Sequence, residues 1–180
     1  MRLVFLLEEA SMKCLLDQLL PRFLPKGVSF STISHEGKSD LQKSIPVKLR
    51  GWNVPNVKFI IVHDQDANDC VLLKKKLLEL CSSAGKEVVV RIACHELEAW
   101  YFGDLRAVSK AYGRDFTKLG AKSRYRDADG IINPKQELRR LIPEHEQISG
   151  ARRIAPYMSL DKNTSVSFNH FISAVRRLCE

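Results

Sequence analysis

The sequence lacks what several large protein classes require. No apolar run approaches the roughly 18 residues of a membrane-spanning helix. The N-terminal run Leu3-Val4-Phe5-Leu6-Leu7 stops at Glu8-Glu9, and no small-residue cleavage site follows. It therefore reads as a first strand rather than an export signal, and a cytoplasmic location with no membrane contact is expected. The five cysteines are odd in number and form no Cys-x-x-Cys pair, which argues against a zinc finger or a disulfide framework. Free thiols in a reducing compartment are expected instead. There is no Gly-x-x-x-x-Gly-Lys, no Gly-x-Gly-x-x-Gly and no Gly-x-Ser-x-Gly. A self-contained P-loop ATPase, a dinucleotide enzyme and a nucleophile-elbow hydrolase are set aside accordingly. No internal repeat or low-complexity tract is present.

What remains is an ordinary globular composition with a positive balance. The chain has 180 residues, 44% apolar and 28% charged, enough for one domain with a real core or a domain plus an extension. The formal net charge of +8 suggests an anionic partner, nucleic acid first. The excess lies in the second half, from Lys110 through Arg114, Lys118, Lys122, Arg124, Arg126 and Lys135 to Arg176 and Arg177.

Periodicity gives alternating strands and helices. Residues 3–7 form a continuous apolar run, as a strand buried on both faces would. Residues 11–20 have helical spacing, with Ser11 as cap and Pro21 as stop. A strand is expected at 28–34, and a helix from about Ser39 to Trp52 that Pro46 kinks or splits. Val57–Val62 is the strongest strand signal. A helix from about Asn68 to Ser82 should bury Leu72, Leu73, Leu77, Leu78 and Leu80. Val88–Cys94 is the fourth strand, and a helix spans about Glu96 to Lys110 with Trp100 and Tyr101 in the core. This alternation predicts an α/β fold with a parallel sheet of about four strands. Residues 1–112 read as the core and 113–180 as a basic, mainly helical extension packed on it. Helices are expected near Pro134–Ile142, Gly150–Tyr157 and Val166–Cys179, with Ser165 as a cap.

In open parallel sheets ligands bind beyond the carboxyl ends of the strands. Here those ends read Glu8-Glu9, His35-Glu36-Gly37-Lys38, Asp64-Gln65-Asp66 with Asp69 a turn later, and Cys94-His95-Glu96-Leu97-Glu98. Carboxylates at that density repel and need compensation, which a hard cation such as Mg²⁺ or Mn²⁺ supplies. Asp64, Asp66, Glu8, Asp69 and Glu96 are the candidate metal ligands. Glu8, Glu9, Asp64, Asp66 and Glu98 are the candidate catalytic set, a glutamate serving as general base. Each acidic residue alone also suits a helix cap. The Asp64-Gln65-Asp66 segment is not a calcium loop, because Asp69 and Lys75 stand where glycine and glutamate are needed.

A glutamate after the first strand and Asp-x-Asp after a later one resemble the TOPRIM domain of topoisomerases, primases and overcoming-lysogenization-defect nucleases. The resemblance implies that Glu8 or Glu9 acts as acid or base and that Asp64 and Asp66 hold metal. The stretch from Arg91 to Tyr101 is similar to the strand and Glu-Asn-Tyr segment of the nuclease branch, with Glu98 at its glutamate. More closely, Phe5-Leu6-Leu7-Glu8-Glu9, His35-Glu36-Gly37-Lys38, Asp64-Gln65-Asp66 through Cys70, and Glu96-Leu97-Glu98-Ala99-Trp100 resemble a TOPRIM-like bacterial family of unknown function. Genes of that family commonly sit beside an ABC-type ATPase gene, which implies anti-phage defence with an ATPase partner. The sequence departs from TOPRIM in lacking the glycine beside the glutamate and the glutamate-glycine after Asp-x-Asp.

The expectation is thus a divalent-metal-dependent nuclease or phosphoryl-transfer protein acting on nucleic acid, with His35, Lys38, Arg152 and Arg153 as substrate-binding residues. The alternatives are a non-catalytic subunit of an ATPase complex and a nucleotide-binding regulator.

Overall fold

The computed structural model describes all 180 residues. Strands β1 (Arg2–Leu7), β2 (Ser29–Ser34), β3 (Val57–Asp64) and β4 (Val88–Ala93) form one parallel sheet in the order β2-β1-β3-β4. Leu3 to Leu7 of β1 have no exposed surface, because neighbouring strands flank β1 and helices cover both of its faces. Each such side chain contributes about 1.5–3 kcal/mol by burial.

The alternation along β1 divides the core in two. Leu3, Phe5 and Leu7 pack with Leu15, Leu16 and Leu19 of α1 (Ala10–Leu19). Val4 and Leu6 pack with Leu41, Ile45 and Leu49 of α2 (Lys38–Gly51) and with Leu73, Leu77 and Cys81 of α3 (Cys70–Ser82). No helix is long and apolar enough to cross a membrane.

The remaining helices are α4 (Glu98–Phe102), α5 (Leu105–Tyr112), α6 (Ser123–Arg126), α7 (Pro134–Leu141), α8 (Gln147–Ile154) and α9 (Val166–Leu178). They extend the core on the α1 face, where Phe168, Phe171 and Val175 of α9 join Phe5 and Trp100. The Trp100 indole lies 5.3 Å from Phe168 and 5.2 Å from Phe171 between ring centroids. Its Nε1 donates to Ser167 Oγ at 3.0 Å, so the buried ring leaves no unmet donor.

Several local expectations are corrected. The helix expected over 96–110 is two, broken at Gly103-Asp104. A Cβ at Gly103 would collide with Asn163 Oδ1. Asp104 starts the second helix by accepting from Ala107 N at 3.1 Å and binds Ser159 N at 2.7 Å. On α3 only Leu73, Leu77 and Cys81 are buried, while Leu72 and Leu78 are exposed, because one narrow helical stripe reaches the sheet. Glu9 rather than Ser11 occupies the cap position of α1, and Pro21 opens a 3₁₀ turn (Leu20–Arg22) that continues the chain. Pro46 is accommodated within an unbroken α2, whose i, i+4 stripe of Leu41, Ile45 and Leu49 is pinned to the sheet. Ser165 caps α9 through Phe168 N, as expected.

His145 and Gly150 illustrate how tightly the extension is built. The His145 ring is buried, its Nδ1 accepting from the Tyr112 hydroxyl at 2.6 Å. Burial first, then Arg139, holds its pKa down to about 4. Stability from the neutral ring is complete above the ordinary imidazole range and is lost as pH falls toward that value. The ring also lies against the backbone at Gly150, where any Cβ would fall inside contact distance. Gly150→Ala is therefore expected to destabilise the chain by about 1–3 kcal/mol through overpacking, read from the urea midpoint, with no change in far-ultraviolet dichroism at zero urea.

Candidate active site

The sheet register sets the site. Leu7 pairs with Ser34 on one side and with Val62 on the other, and Asp64 pairs with Ala93. Parallel strands ending at these levels deliver Glu8, His35, Asp64 and Cys94 to one edge. The loops after β3 and β4 then lock together. Asp66 N donates to His95 O at 2.7 Å, and His95 N to Gln65 Oε1 at 3.2 Å. Asp66 (φ 52°) and His95 (φ 55°) are both left-handed, a conformation uncommon for residues with a side chain.

At the centre is Asp64. Its Oδ1 is sealed from solvent and has no hydrogen-bond donor, although the residue as a whole is only half-buried. Its pKa stands well above the usual carboxylate range, first from burial and then from Glu8, Glu98, Glu9 and Asp66 in that order. Glu98 is buried and pushed up to about 7, first by burial, with Glu96 and Glu9 adding and Lys135 opposing. A second orphaned atom lies within electrostatic reach of the same group. The Tyr101 hydroxyl is buried without a partner, and burial, then Glu98, Tyr112 and Asp64, raise its pKa.

The two adjacent glutamates have different surroundings. Glu8 is buried, its Oε2 accepting from Asp64 N at 3.1 Å and lying 3.0 Å from His63 Nδ1. Glu9 faces the extension, accepting from Gln147 Nε2 at 2.9 Å, with Lys135 Nζ 3.9 Å away. The extension also reaches the edge at Glu96, whose Oε2 accepts from Lys135 N at 2.9 Å.

The other sequence candidates are dispersed. Lys38 Nζ pairs with Asp66 at 3.0 Å, which brings it to the edge. His35 ties β1 to α2, its ring nitrogens 2.8 Å from Leu7 O and 2.6 Å from Ser44 Oγ. Asp69 caps α3 at Leu72 N and is not among the groups acting on Asp64. Arg152 and Arg153 are exposed on α8, with the Arg153 guanidinium 5.0 Å over the Tyr112 ring, and neither forms an ion pair with an edge carboxylate.

Two contributors were not read from the sequence as part of the site. Tyr101 is core, as expected, yet its unpartnered hydroxyl feels the charge of Glu98 and Asp64; a tyrosine rather than phenylalanine three residues after Glu98 was the available signal. His63 is fully buried, and its Nε2 lies 3.0 Å from Gln42 Nε2. Gln42 Oε1 in turn accepts from Lys76 Nζ at 2.8 Å. An ammonium can only donate, so it fixes the amide direction. The amide N–H then faces Nε2, and the Nδ1 proton faces Glu8 and Asp64 O. Only the fold brings positions 42, 63 and 76 together.

This four-stranded parallel sheet, with carboxylates gathered at its carboxyl edge, defines an open α/β protein. The chain belongs to the family described as a domain of unknown function (DUF4276), which matches residues 7–176. Among solved structures, the C-terminal region of the Burkholderia pseudomallei OLD protein is similar over 99% of this chain and 98% of that one. The TM-score is 0.57 at 17% identity, a likeness of fold. No curated protein matches the chain.

The electrostatics have a measurable sign. Folding raises the pKa values of Asp64 and Glu98, so the contribution of each is present below the unfolded carboxylate range and is lost as pH rises through its folded value, about 7 for Glu98. In chelator, the Asp64→Asn/Glu98→Gln variant should be more stable than the wild type at about pH 8, by on the order of 1 kcal/mol. The difference should close toward about pH 5. Urea midpoints across pH check this, and a wild type equally stable or more stable at the alkaline end would refute it.

Proposed function

We propose that this protein is a divalent-metal-dependent nuclease acting on nucleic acid, working in the cytoplasm beside an ABC-type ATPase in anti-phage defence. The observation that carries the reading is the Asp64 carboxylate, whose sealed Oδ1 has no donor while Glu8, Glu98, Glu9 and Asp66 all act on it unfavourably. The orphaned Tyr101 hydroxyl within electrostatic reach of the same group adds to it. A cation relieves such an arrangement, whereas solvent and neighbouring donors do not.

The donor set fits Mg²⁺ or Mn²⁺, being all carboxylate oxygen. Asp64 and Asp66 would hold the ion, with Glu98 available for a second. No three histidine, cysteine or carboxylate side chains already form a ligand cluster, so binding requires rotation of these side chains. When bound, the cation would supply Lewis acidity toward a phosphoryl oxygen. The chain's own contributions are separate. Glu8, its Oε2 held beside Asp64 N, is placed to accept a proton at Oε1 from the attacking hydroxyl or water. Lys38, now paired with Asp66, would turn to the substrate phosphate once Asp66 is neutralised.

A second reading has its own observation. Val71, Leu72 and Leu78 are exposed on α3, beside Lys74 and Lys75, a surface suited to contact with another protein. On that reading the chain is a non-catalytic subunit of the ATPase complex.

Cleavage of labelled oligonucleotides with Mn²⁺ separates the two. The nuclease reading expects cleavage that chelator abolishes and that falls at least about 10²-fold in Asp64→Asn and in Glu8→Gln. A melting temperature that Mn²⁺ raises in the wild type but not in Asp64→Asn should accompany it. Absence of both responses in the wild type would favour the subunit reading.

A further inference from the structure

The positive charge of the chain's second half is not uniformly available. Arg124 and Arg140 close on the buried Glu137, Arg114 on Glu144, and Arg176 on Asp161. Arg153 is stacked on Tyr112. These cations are largely committed within the fold, and their carboxylates offset their charge.

Four others share one place. Arg106, Lys110, Arg126 and Lys162 all line a cleft of about 550 Å³ that opens at the break between α4 and α5. All four are exposed, and none makes an ion pair or a side-chain hydrogen bond within the chain. One carboxylate lines the cleft, that of Asp104. Both of its oxygens are taken by backbone donors, from Ala107 N and Ser159 N. It therefore anchors the cleft's floor and leaves the four rim charges without an ion-pair partner. Like charges gathered around one cavity repel until an anion enters.

The walls of the cleft are fixed and chemically suited to phosphate. Thr164 N binds Gly103 O at 2.9 Å, and the Gly103 turn admits no larger residue against Asn163. Ser159 lines the same space; its Oγ accepts from Asp161 N and Lys162 N and keeps its proton for a phosphate oxygen, whereas the Thr117 and Thr164 hydroxyls already donate to Asp115 Oδ1 and Gly103 O. Tyr157 lines it too and is 49% exposed, which puts an aromatic side chain within reach of a base. Cations to hold a backbone, together with an aromatic face for a base, are the elements of single-strand recognition. A duplex, with its bases stacked inside, would leave the Tyr157 ring unused. The cleft also begins close to the acidic edge. Helix α4 starts at Glu98 and ends at Phe102, a cleft residue, a rise of about 1.5 Å per residue.

We propose that this cleft, through Arg106, Lys110, Arg126 and Lys162, binds the sugar-phosphate backbone of a single nucleic-acid strand. It would hold the strand whose phosphodiester the carboxylate edge receives. The proposal deepens the nuclease reading and rests on it for the identity of the polymer, but the binding itself needs neither metal nor catalysis.

The test is fluorescence anisotropy of a labelled single-stranded oligonucleotide, with chelator present, across a salt series. The wild type is compared with Arg126→Gln/Lys162→Gln in the cleft. The control is Lys74→Gln/Lys75→Gln, an equal charge loss on the exposed side of α3. All four side chains are exposed, and melting temperatures verify that the variants fold. The cleft pair should weaken binding at least about 10-fold and lower the slope of log K against log salt by about 1.4, as loss of two single-strand phosphate contacts requires. The control pair should stay within about twofold. Tyr157→Ala should weaken the oligonucleotide further without changing the salt slope. Equal effects of the two pairs would mean undirected charge attraction and would overturn the proposal. So would tighter binding of duplex, or binding of inorganic pyrophosphate in the cleft with no oligonucleotide binding. Failure of the nuclease reading has a different signature: cleft-dependent strand binding with no cleavage under Mn²⁺.

Discussion

The interaction on which the rest depends is the burial of β1 between two strands and two helical layers. A strand covered on both faces cannot alternate polar with apolar residues, so Leu3 to Leu7 are all apolar and all without exposed surface. Once β1 occupies the middle of a parallel sheet, β2 and β3 must run alongside it, with their crossover helices on opposite faces. The end of β1 then fixes where polar chemistry can begin. Glu8 is the first residue past the apolar run, at the level where β3 delivers Asp64. The acidic edge is thus a geometric consequence of how the core is made.

That edge works against the stability of the sheet that creates it. Asp64 carries a sealed oxygen with no donor, and the neighbouring carboxylates oppose its ionisation. The chain supplies partial compensation from outside the sheet. Gln147 and Lys135 approach Glu9, Lys135 N binds Glu96, and Lys38 binds Asp66. None of these donors reaches Asp64 Oδ1. The extension therefore steadies the periphery of the cluster and leaves its centre uncompensated. A structural carboxylate would be expected to end in a cap, as Asp69 and Asp104 do.

Much of the architecture was legible in the sequence, because parallel strands buried on both faces write continuous apolar runs. The central strands β1 and β3 follow from that pattern; the edge strand β2, reading Ser-Phe-Ser-Thr-Ile-Ser, carries a weaker signal, and the helices starting at Pro134 and Val166 follow from helical spacing and caps. The expected helix over 96–110 failed because its break depends on Asn163 and Ser159, far along the chain and invisible to local periodicity. The buried side of α3 was overestimated because Leu72 and Leu78 match helical spacing yet lie beyond the stripe that touches the sheet. At the edge, the sequence placed Glu8, Asp64, Asp66 and Glu98 at strand ends. It could not separate Glu8 from Glu9, since the difference lies in Gln147 and Lys135 on one side and His63 on the other. Tyr101 and His63 have core environments, and only tertiary placement brings their polar atoms within electrostatic reach of the carboxylates.

The left-handed backbone at Asp66 bears on which residues that position can accept. Locked to His95 O, the loop admits the few residue types that tolerate this conformation, chiefly glycine, asparagine, aspartate and histidine. Of these, only aspartate brings a negative charge. A glutamate would supply the same carboxylate on a longer arm, but its backbone would resist the turn. Backbone shape thus restricts the choice at the second acidic position independently of any chemistry performed there. A relative that keeps this turn but carries asparagine or glycine at that position would retain the fold while losing the charge.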